Sequence, residues 1–124
     1  MPKKILIIDD EPDLLNLVKA RLEYYSYEVL YLGAGKDAIK AIHEKNPDLI
    51  ILDIMLPDKN GYDICYEIKN NPDAASIPII LFTAKEEWKD SMSDIGKFVK
   101  ADAYITKPFD SQVLLTKIKE LLKE

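Results

Sequence analysis

Short apolar runs alternate with amphipathic segments along the whole chain. The apolar runs are rich in β-branched residues and bounded by turn residues, which predicts five strands, over residues 4–8, 28–32, 49–52, 77–82 and 104–106. Apolar residues at helical spacing follow each run and predict five helices, over residues 12–22, 38–42, 62–69, 86–99 and 113–122. Pro12 suits a first helical turn, and Asp110 is a good N-cap for the last helix.

The predicted strands lack polar alternation, so both of their faces should be buried. Strands of this kind belong to parallel sheets that carry helices on each side. Right-handed crossovers leave few topologies for five such units. The pattern therefore predicts an α/β fold with a doubly wound, five-stranded parallel sheet. No internal repeat or linker divides the chain, so we expect a single domain over residues 1–124.

Composition excludes several classes of function. The chain has 124 residues, of which 48% are hydrophobic, enough for a sizeable core. The formal net charge of −5 opposes direct binding to nucleic acid. A single cysteine permits neither an intrachain disulfide nor a cysteine cluster for zinc. No apolar run approaches the ~20 residues that span a bilayer, so we expect a cytoplasmic protein without a membrane partner.

Polar residues with complementary chemistry follow four of the five predicted strands. Asp9 and Asp10 follow the first strand, Asp53 the third, Thr83 the fourth and Lys107 the fifth. In open α/β sheets, ligands bind beyond the carboxyl ends of the strands. Each residue alone is typical of an ordinary turn, but their combination at one edge indicates a site.

The combination suits phosphoryl transfer. Clustered carboxylates favour Mg²⁺, which bridges readily to phosphate. A lysine ammonium is a natural partner for phosphate, and a threonine hydroxyl can donate to a phosphate oxygen. Catalysis of phosphoryl transfer consists mainly of positioning and charge neutralisation. The group that is left to act as the nucleophile is a carboxylate.

Four stretches, taken in order, resemble a known family. They are ILIIDDEPDL (5–14), PDLIILDIMLPDKNGYD (47–63), IPIILFTA (77–84) and ADAYITKPFD (101–110). The sequence resembles the receiver domain of bacterial two-component response regulators over essentially its whole length. The resemblance implies the flavodoxin-like strand order 2-1-3-4-5. It also implies a signalling phosphoacceptor that catalyses only its own phosphorylation and dephosphorylation, with a histidine kinase or phosphotransfer protein as its donor.

The resemblance also implies a metal site and an acceptor. Asp53 would receive the phosphoryl group. Asp10 and Asp53 would supply oxygens to Mg²⁺ or Mn²⁺, with the backbone carbonyl of Met55 as a third ligand. Asp9 would assist largely through water.

The remaining roles concern the switch. Lys107 would bind the phosphoryl group, Thr83 would move toward it, and Tyr104 would follow inward. The output surface would comprise the predicted helix over 86–99, the fifth strand and the last helix. This surface would act on a downstream effector or a covalently linked output domain. A phosphorylation-dependent homodimer is a further partner, although Ala103 replaces an acid that the winged-helix, DNA-binding branch uses at its dimer face.

Two other functions compete with this interpretation. A phosphatase with an aspartyl nucleophile shares the Asp–Mg²⁺–Lys chemistry, but it typically requires a second acid two residues after the nucleophile, where this chain has Met55. The second competing function is that of an interaction module that is no longer phosphorylated. The complete set of acids, hydroxyl and amine argues against that loss. Whether the chain is a complete regulator or the receiver of a longer protein stays open at this point.

Overall fold

The computed structural model describes residues 2–84, 101–107 and 110–124, apart from the side chains of Thr83, Ala84 and Lys107. Strands and helices alternate along these residues. In chain order they are β1 (Lys4–Ile8), α1 (Pro12–Tyr24), β2 (Glu28–Leu32), α2 (Ala38–Lys45), β3 (Leu49–Asp53), α3 (Gly61–Lys69), β4 (Ile79–Ala84), β5 (Ala103–Lys107) and α4 (Ser111–Leu122).

The five strands form one parallel sheet in the order β2-β1-β3-β4-β5. This confirms the predicted α/β fold and its strand order. β1 lies between β2 and β3, where Leu6 pairs with Leu30 on one side and Ile50 on the other. The described residues contain four of the five predicted helices. The predicted helix over 86–99 lies outside them.

Two of the described helices, α3 and α4, begin at a side-chain cap. Asp110 accepts a hydrogen bond from the Gln112 amide at 2.7 Å and caps α4 as predicted. Asn60 does the same for α3, accepting from the Tyr62 amide at 2.7 Å. Pro12 is the first residue of α1, where its missing amide hydrogen leaves no helical bond unmade.

The prediction for the fourth strand was wrong by two residues at each end. β4 runs over Ile79–Ala84 instead of 77–82. Pro78 has no amide hydrogen to donate and contributes only its carbonyl, which accepts from the Ile50 amide at 2.9 Å. At the other end, Thr83 and Ala84 continue the ladder by pairing with β5.

Both faces of the sheet are buried, and each has its own core. Successive residues of β1 alternate between them: Ile5 and Ile7 pack on the face covered by α1 and α4, while Leu6 and Ile8 pack on the face covered by α2 and α3. Burial of each such side chain contributes about 1.5–3 kcal/mol relative to its exposure to water. Every residue from Ile5 to Ile8 is buried, which accounts for the unbroken apolar run that follows Lys4.

A partly buried lysine joins several elements at the amino edge of the sheet, where the amino ends of the strands lie. The ammonium of Lys69, at the end of α3, donates to the carbonyls of Ala75 (3.3 Å) and Ile77 (2.9 Å) and to the Asp102 carboxylate (2.8 Å). The same carboxylate oxygen accepts from the Ile79 amide at 2.8 Å. The contacts connect the end of α3 with the first residue of β4 and the residue that precedes β5. We call Lys69, Asp102 and these partners the amino-edge cluster.

No helix among the described residues is both long enough and apolar enough to cross a bilayer.

Cys65 provides a test of the core on the α3 face. It is the only cysteine of the chain and is fully buried, and this burial raises the pKa of its thiol to about 12. We therefore expect the native thiol to react with an aromatic disulfide reagent only as fast as the domain unfolds, because the thiolate is the reactive form. The reaction is followed by absorbance as denaturant is added.

A matched control moves the thiol by one residue. In the double variant Cys65→Ala, Tyr66→Cys, the thiol occupies a position whose native side chain is 53% exposed, and it should react at once. Rapid native reaction of Cys65 itself would contradict the packing described here.

Candidate functional site

The carboxyl ends of β1 and β3 lie side by side and bring two acids together. Ile8, the last residue of β1, pairs with Leu52 of β3. Asp9 therefore follows β1 at the level where Asp53 ends β3. The sequence pattern placed Asp53 after its strand, but the residue belongs to β3 and pairs with Phe82 of β4.

Three carboxylates converge at this edge. Asp9, Asp10 and Asp53 each offer an oxygen, and these oxygens all lie within 4.8 Å of one another. Asp9 is 0% exposed and Asp53 is 4% exposed, whereas Asp10 faces solvent. The acids that the sequence singled out are thus gathered at one place, where two are enclosed by protein and one is open to water.

Local backbone amides orient the two buried carboxylates. The Glu11 amide donates to Asp9 Oδ1 at 2.9 Å, and the Met55 amide donates to Asp53 Oδ1 at 3.1 Å. In both cases the amide lies two residues after the acid, which is the geometry of an Asx turn. Each strand therefore turns away directly after its acid.

The donor set fits a hard divalent cation. Carboxylates this close repel one another, since two unit charges about 4 Å apart near a protein surface interact by about 4 kcal/mol. Mg²⁺ binds carboxylate oxygens together with water, and solvent reaches the cluster through Asp10. The Met55 amide bonds to Asp53, so Met55 belongs to the turn that follows Asp53, and the Met55 carbonyl lies in that turn.

Gly61 lets α3 begin against the backbone at the end of β3. Its amide donates to the Ile54 carbonyl at 2.8 Å. A Cβ atom at this position would lie within 2.6 Å of the Ile54 Cα and would also overlap the Asp53 carbonyl oxygen. Only glycine therefore permits this approach. The hydrogen bond between Gly61 and Ile54 holds the two ends of the loop over 54–60 together.

Thr83 and Lys107 lie at the same edge by their backbone positions. Thr83 is the penultimate residue of β4 and pairs with Thr106, while Lys107 is the last residue of β5 and pairs with Ala84. Both residues belong to their strands, whereas the sequence pattern placed them after the strand ends. Their side chains lie outside the described part of the structure, so their predicted roles stay predictions.

Tyr104 is the second residue of β5, the outermost strand on one side of the sheet, and pairs with Leu81 of β4. Its side chain is half-buried against the core on the α2 and α3 face. Burial, together with nearby Cys65 and Tyr62, raises the pKa of the Tyr104 phenol. The ring thus packs partly inward, with its remaining surface open to solvent.

Asp58, in the loop between β3 and α3, plays a structural part that the sequence pattern did not predict. Its two carboxylate oxygens accept from the amides of Gly35 (2.9 Å) and Lys36 (2.8 Å), in the turn between β2 and α2. The hydrogen bond from Gly35 is the main cause that lowers the pKa of the Asp58 carboxyl. The contact spans 23 residues of sequence, so no local signal reveals it.

An open cavity adjoins the acidic cluster. Its volume is about 440 Å³, and it lies between α1 and the end of β2, with Asp9 and Asp10 at one side and Lys19 and Tyr31 among its other walls. Of the three clustered acids, Asp9 and Asp10 line this cavity and Asp53 does not.

Comparison with known proteins points to one family. The sequence matches the response regulator receiver domain family over residues 5–119. The signal receiver domain of a histidine kinase from Syntrophus aciditrophicus is 34% identical, with a TM-score of 0.89 over 98% of this chain and 90% of that one. A response regulator receiver domain protein from Methanospirillum hungatei is 31% identical, with a TM-score of 0.89 over 99% and 95%. These matches confirm the predicted resemblance.

A third solved structure shares the fold at lower identity. The receiver domain of a sensor histidine kinase from Pseudomonas aeruginosa is 23% identical, with a TM-score of 0.88 over 100% of both chains. That protein has a magnesium ion coordinated in its active-site cleft.

The closure at Gly61 can be tested by adding one methyl group. Gly61→Ala should destabilise the domain by about 2 kcal/mol, because the backbone of β3 must shift to admit the Cβ atom. The free energy of unfolding is measured by urea titration. Gly33→Ala is the matched control, since a Cβ there meets nothing within 4 Å. Equal stability of the two variants would contradict the close approach.

Repulsion within the acidic cluster can be tested without metal. Asp10→Asn removes one of the three charges, so in EDTA at low ionic strength its melting temperature should exceed that of the parent by about 3 °C. Glu23→Gln, an exposed charge on α1 outside the cluster, is the control and should change little. If Asp10→Asn melts earlier than the parent, the carboxylates do not destabilise one another.

Proposed function

Because the chain belongs to the response regulator receiver domain family, we propose that it accepts a phosphoryl group on Asp53 and passes the signal onward. The donor is a histidine kinase or phosphotransfer protein, and the recipient of the signal is a downstream effector or a covalently linked output domain. The observation that carries the proposal is the position of Asp53, a buried carboxylate at the end of β3 whose oxygen lies within 4.8 Å of those of Asp9 and Asp10.

Asp53 acts as the nucleophile in this scheme. One carboxylate oxygen attacks the phosphorus of a phosphohistidine, forming a P–O bond while the P–N bond breaks. The imidazole nitrogen keeps the electron pair of the broken bond. Because the other ring nitrogen already carries a proton, the histidine leaves as a neutral imidazole, and Asp53 becomes an acyl phosphate. The Met55 amide, which donates to Asp53 Oδ1, fixes the direction of the carboxylate.

Asp9, Asp10, Asp53 and the Met55 carbonyl would hold Mg²⁺ or Mn²⁺. When bound, the ion supplies positive charge that offsets the carboxylates and the incoming phosphoryl oxygens. The acidic cluster supports this assignment through its oxygen ligands and its opening to solvent at Asp10. A receiver of the same fold binds magnesium in its cleft, which is consistent with the assignment.

Lys107 and Thr83 complete the proposed site. Their strands end at the edge where Asp53 lies, which supports roles for the ammonium and the hydroxyl in binding phosphoryl oxygens. Once these oxygens are present, the arrangement that satisfies them best becomes more populated. Tyr104 then follows inward from its half-buried position.

The proposed output surface comprises residues 86–99, β5 and α4. Residues 86–99 lie outside the described part of the chain, so the support comes from the position of β5 at the sheet edge, beside the proposed phosphoryl site. We further propose that residues 1–124 form one receiver domain that acts in the cytoplasm. The net charge of −5 supports a partner other than nucleic acid, and a second phosphorylated copy of the chain is one candidate.

Phosphorylation by a small donor tests the proposal. Incubation with Mg²⁺ and phosphoramidate should add one phosphoryl group, measured as a single mass increase of the intact protein. Asp53→Asn should abolish the increase, because an amide is a poor nucleophile. Asp63→Asn, which alters an exposed carboxylate at the start of α3, should retain it.

The outcomes separate the competing functions. Repeated turnover of phosphomonoesters would favour an aspartyl phosphatase. The absence of an adduct together with an absence of Mg²⁺ binding would favour an interaction module. An adduct that persists in Asp53→Asn would show that another residue is the acceptor.

A further inference from the structure

The loop that follows the acceptor strand is attached to a neighbouring turn by one side chain. Asp58 lies in the exposed outer part of the loop over 54–60, and each of its carboxylate oxygens accepts from a separate backbone amide, Gly35 at 2.9 Å and Lys36 at 2.8 Å. Two charge-assisted hydrogen bonds to successive amides fix both position and orientation. We call this pair of bonds the Asp58 clip.

The β2–α2 turn, to which Asp58 bonds, is itself packed against the loop over 54–60. Gly35 is buried, and its Cα faces the loop so closely that an added Cβ would lie within 3.3 Å of the Lys59 Cβ and would overlap the Ile64 side chain. The turn and the loop thus pack directly against each other. The clip closes this contact at its solvent-exposed side.

The inner part of the same loop is tied to the acceptor. The Met55 amide donates to Asp53 Oδ1, and Met55 forms an antiparallel bridge with Asn60. The base of the loop is held by the bond from the Gly61 amide to the Ile54 carbonyl. The Asp58 clip ties the outer end of the loop to the β2–α2 turn, and an ion pair between Lys59 and Glu67 ties it to α3.

We propose that Asp58 is a positioning residue that holds the main chain of Met55 in the arrangement that the cation site requires. The inference rests on the proposed function, in which the Met55 carbonyl is a metal ligand. Asp58 itself bonds to the β2–α2 turn and acts through the loop. Removal of partners that orient metal ligands typically lowers metal affinity by about 10–100-fold.

Thermodynamic linkage gives a consequence that can be measured in the unaltered protein. If the clip favours Mg²⁺ binding by some factor, then Mg²⁺ must favour the clip by the same factor. Hydrogen exchange of the Gly35 and Lys36 amides, measured by NMR, should therefore slow when Mg²⁺ is added to the unphosphorylated protein. The Tyr25 amide, which bonds to the Leu22 carbonyl at the end of α1, serves as the internal reference.

Substitutions provide the second test. Mg²⁺ affinity is measured by calorimetry on unphosphorylated protein, beside the melting temperature of each variant in EDTA. Asp58→Ala should weaken Mg²⁺ binding by about tenfold, and Asp58→Asn, which keeps one acceptor oxygen, should fall between it and the parent. Asp63→Ala removes a nearby exposed charge without touching the clip, so it should bind Mg²⁺ nearly as the parent does.

The outcomes separate this inference from the proposed function. A parent that binds Mg²⁺ and forms the phosphoryl adduct, beside an Asp58→Ala variant that binds Mg²⁺ equally well, overturns the inference alone. Equal losses in Asp58→Ala and Asp63→Ala also overturn it, because they would reflect charge and not position. A parent that neither binds Mg²⁺ nor forms the adduct overturns the proposed function and this inference with it. If Asp58→Ala fails to fold, the parent protein still provides a test. Hydrogen exchange of the Gly35 and Lys36 amides that does not change when Mg²⁺ is added overturns the inference.

Discussion

The parallel pairing of β1 with β3 is the constraint on which the site depends. It places Asp9 and Asp53 at one level of the sheet, in strands whose apolar residues are buried on both faces. Each side chain of β1 packs in one of the two cores, and a slip of the pairing by one residue would send it to the other core, so the close packing of both cores opposes a slip. Hydrophobic burial therefore fixes the distance between the carboxylates, although the carboxylates themselves oppose it.

This conflict explains the construction around the acids. Burial of Asp9 and Asp53 costs free energy, and each carboxylate is compensated in part by the amide two residues on. Gly61 lets α3 begin directly against the backbone of Asp53 and Ile54. Asp58 attaches the outer part of the loop over 54–60 to the β2–α2 turn. The strands supply the positions of the acids, and the turns supply their orientation.

The sequence predicted the strands and the acids well because both depend on local patterns. β1 and β2 have the predicted bounds, since each is a short apolar run between clear turn residues. β4 was misplaced because pairing with β5, and not hydrophobicity, decides where it ends. The part played by Asp58 was missed for a related reason: its partners are backbone amides 22 and 23 residues away, and amides carry no sequence signature.

The amino-edge cluster lies at the opposite edge of the sheet from the carboxylates. Lys69 is enclosed there by two carbonyls and by Asp102, which also holds the first residue of β4. A cation or covalent group that arrives at the carboxyl edge neither adds nor removes a partner of Lys69. In the proposed function, one edge of the sheet is loaded and unloaded repeatedly while the other keeps α3, β4 and β5 joined, which is what a reusable component requires of its architecture.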